Sequence, residues 1–288
     1  MDTAAVVFIQ VLSTVSSLLL FSSGLAVIFG MMRVINLAHG ELLMLGAYSL
    51  LVAIKVGVNL WVAMLVISPL FVAIVGILME RLVVRHLYGR MMDTLLATWG
   101  LSLFITGIMT TFFGNTMEGI STPLGSFRIG NLTESTYKFF IIGMASAVLA
   151  SGYLILKHSR WGLIARGTMD NPIQASALGV SPSAVYTVTF GIGAALSGLA
   201  GAVLAPLSGV LPTMGVAYIG KAFITVIGGG EAMLAGTGSA SILFGTINQI
   251  VTYFSSSVIG EVALLVSAVV LLRVLPRGIT GQFFRRSL

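Results

Sequence analysis

Uncharged apolar runs of about 20 residues recur along the whole chain and constrain its fold more than any other feature. A run of this length can cross the hydrocarbon core of a bilayer as one α-helix. Hydrophobic residues make up 57% of the 288 residues and charged residues only 8%, against about 25% charged in soluble domains. The sequence therefore predicts an all-α polytopic membrane protein with about eight or nine transmembrane helices.

The charged residues are concentrated in the short segments between the apolar runs. Because basic loops stay on the cytoplasmic side of a membrane, we expect loops 80–93 and 157–170 and the C-terminus to face the cytoplasm. The polar loop 114–138 then lies outside. The net charge of +6 reflects this topology, and we expect no nucleic-acid partner. Cysteine is absent, which excludes disulfides and thiolate metal sites, and we expect no metal and no cofactor on this chain.

A polar stretch from Arg33 to Glu41 interrupts the apolar sequence, and it also contains Asn36 and His39. A charge at the centre of a bilayer costs about 2.5–3.5 kcal/mol on insertion scales, so the presence of these polar residues between two apolar runs needs an explanation. One interpretation is a membrane-surface loop with its charges among the lipid headgroups. We favour a break between helical pieces that is buried in protein and lines a translocation path, where irregular backbone is tolerated. We expect Arg33 and Glu41 to form an ion pair.

A glycine-rich interruption late in the chain is similar to the first, because both combine a Gly-Glu pair with a following Met-Leu pair. Paired interruptions of this kind mark the substrate path in transporters built from two repeats. The sequence therefore predicts one transmembrane domain over residues 1–288 with two repeated halves, 1–113 and 139–288. The broken or re-entrant segments then place three late glycines beside the path, namely Gly228, Gly229 and Gly230.

The second basic loop contains a short segment with the signals of a capped helix. A cap residue, a proline in the first turn and a final glycine follow one another within ten residues. Such a helix could simply order the turn, and it is also what a membrane subunit needs to dock into a groove on a partner. We predict a coupling segment over residues 157–182. Its contact residues are Asp170, Asn171, Pro172, Ile173, Gln174, Leu178 and Gly179, with Asp170 or Asn171 as the cap.

Small residues predict where helices bend or approach each other closely. Gly193, Ser197 and Gly201 recur at every fourth position, so they share one helix face that another backbone can approach. The run from Thr3 to Met32 would be about 45 Å long as a single helix, which exceeds the thickness of the hydrocarbon core. We expect it either to tilt or to bend at the triplet Ser22-Ser23-Gly24.

The stretch Val34-Ile35-Asn36-Leu37-Ala38-His39-Gly40-Glu41, with Met44-Leu45-Gly46-Ala47-Tyr48 after it, resembles the signature of the LivH-type permeases. These are membrane subunits of ATP-driven importers for branched-chain amino acids and for urea. Other segments also fit, so that the resemblance covers nearly the whole chain: residues 175–182, 221–229 and 275–278. Asp93 to Gly100, which contains Thr98, is similar to a stretch of the urea branch. Glu231 departs from the pattern, because the family more often has a small residue there.

The resemblance implies a permease subunit of a binding-protein-dependent ABC importer, which moves a branched-chain amino acid or a urea-like small polar solute by alternating access. It implies a second homologous permease, two cytoplasmic ATPase subunits, an extracytoplasmic binding protein and a location in the bacterial inner membrane. The chain has no phosphate-binding loop of the G-x-x-x-x-G-K type, so we expect ATP on the partners and no enzyme activity here. The expected path residues are Asn36, His39, Glu41, Thr98, Gly228, Gly229 and Gly230.

Two other functions remain open from the residues alone. An ion-coupled secondary transporter would use Glu41 or Glu231 as its proton or cation site. A passive urea-type channel would need neither an ion nor ATP, and dependence of uptake on an ATPase separates both from an importer. The residues also leave open whether Asn36, His39 and Glu41 touch the substrate or hold the broken backbone.

Overall fold

The structure is a computed structural model that describes residues 2–130, 132–230 and 232–283. Helices form most of it. The first part of the chain comprises α1 (Asp2–Met32), α2 (His39–Lys55), α3 (Leu60–Val62), a π-helical turn (Ala63–Ile67), α4 (Ser68–Leu82), a 3₁₀ turn (Val84–Leu87) and α5 (Met91–Phe113). A two-stranded antiparallel hairpin follows, with strands β1 (Ser126–Ile129) and β2 (Leu132–Ser135).

The described residues of the second part of the chain form helices joined by short connections. It comprises α6 (Tyr137–His158), α7 (Arg160–Asp170), α8 (Pro172–Ala177), α9 (Pro182–Ser208), α10 (Met214–Gly229), α11 (Met233–Phe254), α12 (Ser257–Val274) and α13 (Gly278–Phe283). The polytopic all-α prediction therefore fits, except that it omitted the hairpin in the loop 114–138.

Six helical segments of the described chain are long and apolar enough to cross a membrane. They are Thr3–Met32, Leu60–Leu82, Met91–Phe113, Tyr137–His158, Pro182–Ser208 and Ser257–Gly281. The shorter α10 is apolar as well. Eight or nine crossings would need helices beyond these six, such as α2, α10 and α11, so that number stays a prediction.

The long first run is not broken at the triplet Ser22-Ser23-Gly24, which was one of the two solutions expected for its length. α1 runs without interruption from Asp2 to Met32. Gly24 instead provides a close approach: a Cβ there would overlap the carbonyl oxygen of Gly193 and the hydroxyl of Ser197. Packing against α9 explains why a small residue lies at this position.

The chain forms two compact units that are interleaved along the sequence. The α2 unit contains residues Ser23–Ile120 and Ala150–Ile219, and the α11 unit contains the remaining described residues. In the α2 unit, α2 packs against both α4 and α9, and every residue from His39 to Tyr48 is buried. Because α2 is apolar on nearly all sides, it belongs inside a helix bundle.

Glycines let the backbone of α2 touch the backbones of its neighbours, and these contacts fix its position. A Cβ on Gly46 would overlap the carbonyl oxygen of Gly198 in α9, and a Cβ on Gly201 would overlap the carbonyl of Leu43 in α2. Gly40, in the first turn of α2, meets the backbone of Gly215 in the same way. These contacts hold α2 against its neighbours at a separation that only small residues permit.

The α11 unit has its own core, in which α11 packs against α12 and α13. Gly245 of α11 lies against the backbone of Val15 in the first part of α1. A chain of polar side chains connects α1 with α11 and with the hairpin. Its members are Thr14, Gln249, Gln10 and Glu134, joined by hydrogen bonds of 2.8, 3.2 and 2.6 Å in that order.

Candidate functional site

The backbone between α1 and α2 is broken over residues 33–38, which we call the α1–α2 break. The amide of Arg33 still donates to the carbonyl of Phe29 at 2.9 Å, but Arg33 itself has a φ of +50°, a region that side-chain-bearing residues rarely adopt. Asn36 then forms the turn into α2. Its Oδ1 accepts from the amide of Ala38 at 3.0 Å, and its carbonyl accepts from the amide of His39 at 3.2 Å.

Hydroxyl groups of α5 support this break from the side. The amide of Leu37 donates to Thr98 Oγ1 at 3.1 Å, and the same hydroxyl donates to the carbonyl of Thr94 at 2.8 Å. Ser102, four residues further along α5, donates to Glu41 Oε1 at 2.8 Å. Thr94, Thr98 and Ser102 are buried, whereas most of α5 is exposed, so this polar face is the part of α5 that contacts the core.

The polar residues that follow Arg33 in this region are buried, which fits a break inside the protein and not a surface loop. The exposed fraction is 0% for Asn36, His39 and Thr98, and 1% for Glu41. Both ring nitrogens of His39 lie 3.4 Å from Ser197 Oγ on α9, so His39 contacts the small-residue face of that helix. The structure thus brings together four of the seven predicted path residues, Asn36, His39, Glu41 and Thr98.

The predicted ion pair between Arg33 and Glu41 is wrong. Arg33 is exposed, and over the described residues no ion pair joins it to Glu41. The carboxylate is held by the hydroxyl of Ser102 instead. A hydroxyl from a neighbouring helix satisfies a buried carboxylate oxygen without bringing a second charge into the core.

Two buried polar atoms have no hydrogen-bond partner among the described residues: Asn36 Nδ2 in the α1–α2 break and Glu41 Oε2 in the first turn of α2. In each side chain, the other polar atom forms a hydrogen bond within the protein: Asn36 Oδ1 accepts from the amide of Ala38, and Glu41 Oε1 accepts from Ser102. Glu41 Oε2 lies beside Gly215, where a Cβ would come within 2.9 Å of it. One donor and one acceptor are therefore left at the same broken segment.

The remaining predicted path residues lie in the α11 unit, at a second break after α10. Gly228 contacts the ring of Phe244, and Gly229 meets the backbone of Gly236. Gly230, the residue after the end of α10, has a φ of +85°. Thr280 donates to the carbonyl of Gly229 at 2.6 Å and accepts from the amide of Ala232 at 3.1 Å. Nothing in the sequence pattern indicated this role for Thr280. Glu231, the alternative ion site, lies outside the described residues.

The coupling segment contains two helices, α7 and α8. Asn171 is the cap of α8, because its Oδ1 accepts from the amides of Ile173 at 3.1 Å and Gln174 at 3.0 Å, whereas Asp170 ends α7. Pro172 is the first residue of α8, which ends at Ala177, and Gly179 follows with a φ of +85°. Ile173 in α8 and Leu178 just after it are 80% and 85% exposed, so this part of the coupling segment has large apolar side chains on its surface.

The predicted small-residue face of α9 packs within the chain. Gly193 lies against Gly24 and Ile28 of α1, Ser197 contacts His39, and Gly201 meets the carbonyl of Leu43. The face therefore supports α1, the break and α2 in turn. Over residues 2–130, 132–230 and 232–283, no group of three or more His, Cys, Asp or Glu side chains is arranged to hold a metal ion.

The fold and the buried break define a multi-pass membrane protein in which a polar interruption lies inside the helix bundle. The chain belongs to the family described as the permease component of the branched-chain amino acid transport system, whose model matches residues 7–275. No solved structure gives a significant match.

Several curated relatives resemble the chain over nearly their whole length. The high-affinity branched-chain amino acid transport system permease protein LivH of Salmonella typhimurium is 24% identical, covering 93% of this chain and 92% of the relative. The probable LivH protein of Methanocaldococcus jannaschii is 26% identical over 93% and 90%. The permease protein BraD of Pseudomonas aeruginosa is 26% identical over 85% and 84%.

Proposed function

We propose that the chain is the membrane-spanning permease subunit of an ATP-driven, binding-protein-dependent importer for branched-chain amino acids. The family and the names of the relatives support the permease role and this substrate class. The complete importer would contain a second homologous permease, two cytoplasmic ATPases that bind ATP, and an extracytoplasmic binding protein. It would lie in the bacterial inner membrane with the C-terminus in the cytoplasm.

The observation that carries this proposal is the buried α1–α2 break with its two unpaired polar atoms. An amino acid is a zwitterion, so its path needs an acceptor for the ammonium group and a donor for the carboxylate. Glu41 Oε2 supplies the acceptor and Asn36 Nδ2 the donor, and the N-terminus of α2 favours a negative group nearby. His39 and Thr98 position the segment, because their contacts are with Ser197 and with the backbone of Leu37.

The proposal also includes the glycines at the second break, after α10. Gly228, Gly229 and Gly230 would also be path residues, and the chain would be built from two repeated halves, 1–113 and 139–288. Movement would come from the ATPases through the coupling segment, where Ile173 and Leu178 fit a groove on a partner because both are exposed and apolar.

Uptake by the complete importer in proteoliposomes tests the function. We expect leucine uptake that requires both the binding protein and hydrolysable ATP, and that persists when ionophores collapse the ion gradients. Urea in place of leucine tests the urea-like substrate class that the sequence suggested. Uptake that follows an ion gradient without ATP would establish a secondary transporter, and uptake that needs neither would establish a channel.

A further inference from the structure

A fully buried carboxylate, Glu80, lies at the end of α4 and takes no part in the α1–α2 break. Arg85 binds it in a bidentate manner, with Nε 3.3 Å from Oε1 and Nη2 3.3 Å from Oε2. The hydroxyl of Tyr88 donates to Oε1 at 2.6 Å. Burial and this hydrogen bond raise the pKa of Tyr88 far above its ordinary value, so its hydroxyl remains a donor at physiological pH. We call these three residues the Glu80 cluster.

The Glu80 cluster also holds the beginning of α9. Arg85 Nη2 donates to Thr187 Oγ1 at 2.7 Å, and the ring of Tyr88 meets Tyr186 edge-on with 5.2 Å between centroids. Thr187 is five residues after Pro182, about 7.5 Å along α9 from its start. Both α7 and α8 pack against α9. The cluster is therefore attached near the start of α9, the helix into which the coupling segment continues and against which α7 and α8 pack.

A series of hydrogen bonds continues from the other side of the cluster to the α1–α2 break. Leu87, beside Tyr88, accepts through its carbonyl from Thr94 Oγ1 at 2.9 Å. The carbonyl of Thr94 accepts from Thr98 Oγ1 at 2.8 Å, and that hydroxyl accepts from the amide of Leu37 at 3.1 Å. All of these residues belong to the α2 unit. The start of α9 and the break are thus connected through the turn before α5.

We propose that the Glu80 cluster is the joint that transmits movement of the coupling segment to the α1–α2 break, an inference that rests on the proposed importer function. Separating Arg85 from Glu80 is costly, because the buried charge left behind would keep only the neutral hydroxyl of Tyr88 as a partner. Arg85 is therefore held in place, and its hydrogen bond to Thr187 makes the start of α9 and the turn after α4 move as one body. When the ATPases displace α8, this body carries α5 with it, and Thr98 moves against the backbone that it holds.

The substitution Thr187→Val tests the joint, because it removes the link to α9 and leaves Glu80 paired with Arg85. Thr225→Val is a matched control: Thr225 is also a buried threonine that donates to the carbonyl four residues earlier, and no charged side chain binds it in the described contacts. The measured quantity is ATP hydrolysed per leucine imported by the complete importer. We expect this ratio to rise by about threefold to tenfold in Thr187→Val and in Arg85→Lys, which loses the bidentate geometry.

Thr187→Ser keeps the hydroxyl and should retain the wild-type ratio, as should Thr225→Val. A purely structural role would lower ATP hydrolysis and uptake in proportion, so an unchanged ratio in both Thr187→Val and Arg85→Lys would overturn the proposal. Failure of the proposed function looks different, because the wild-type complex would then show no ATP-dependent uptake at all.

Discussion

The hydrogen bond from Ser102 to Glu41 Oε1 allows a sharp test of the buried break, because it joins α5 to the first turn of α2 over 2.8 Å. Ser102→Ala removes the donor and leaves a buried carboxylate oxygen unsatisfied, at a cost of about 1–3 kcal/mol. If transport requires this arrangement, the loss reduces uptake by about 5-fold to 150-fold. Glu41→Ala should lose most uptake for the same reason, and so should Asn36→Ala, which removes the acceptor for the amide of Ala38.

The assay is leucine uptake by the complete importer, divided by the amount of permease in the membrane. Arg33→Ala is the control, because Arg33 is exposed and forms no ion pair with Glu41 in the described contacts; it should stay within about twofold of wild type. Equal losses in Arg33→Ala and Glu41→Ala would refute the reasoning from burial. Full uptake in Glu41→Ala, with cysteines at positions 34–40 uniformly accessible from the cytoplasm, would restore the surface loop.

Three further predictions follow from other contacts. Gly193→Leu and Gly201→Leu should each lower the yield of folded permease on size-exclusion chromatography, because their Cβ atoms meet side-chain and backbone atoms of α1 and α2; normal yield and transport would contradict this. A cysteine at Gln174, in a chain without cysteine, should crosslink to an ATPase subunit, and crosslinks from the 80–93 loop alone would move the docking site there. Burial raises the pKa of Glu134, but hydrogen bonds from Lys138 and Gln10 outweigh it and bring the pKa below its usual value. These hydrogen bonds therefore stabilise the fold at any pH above the unfolded-state pKa of Glu134, and this stabilisation is lost as the pH falls through its lower folded-state pKa. Acid should then lower the melting temperature of the wild type more than that of Glu134→Gln.

Local signals explain what could be predicted from the sequence. The polar stretch lies between two uncharged apolar runs, and this position alone indicated a break in the helices that is buried in protein. Asn171, Pro172 and Gly179 indicated a short helix because capping acts within a few residues. The same holds for the spacing of Gly193, Ser197 and Gly201, which places all three on one face of a helix whatever the neighbouring helix is.

Contacts between distant segments explain what could not be predicted. Thr94 and Ser102 share the four-residue spacing of Thr98, so a buried face was visible in principle, but nothing local shows that it meets Leu37 and Glu41. The ion pair expected for Glu41 was inferred from opposite charge and nearness in sequence. A hydroxyl sixty-one residues away binds the carboxylate instead, and only the packing of α5 reveals it.

The two breaks are held by the same chemistry although their sequences differ. A break leaves backbone amides and carbonyls without helical partners, and a threonine hydroxyl can satisfy one of each because it both accepts and donates. Thr98 accepts from Leu37 and donates to a carbonyl of its own helix, while Thr280 accepts from Ala232 and donates to Gly229. A hydroxyl adds no charge to the core, so it can hold irregular backbone inside a membrane protein without bringing in a second ionised group.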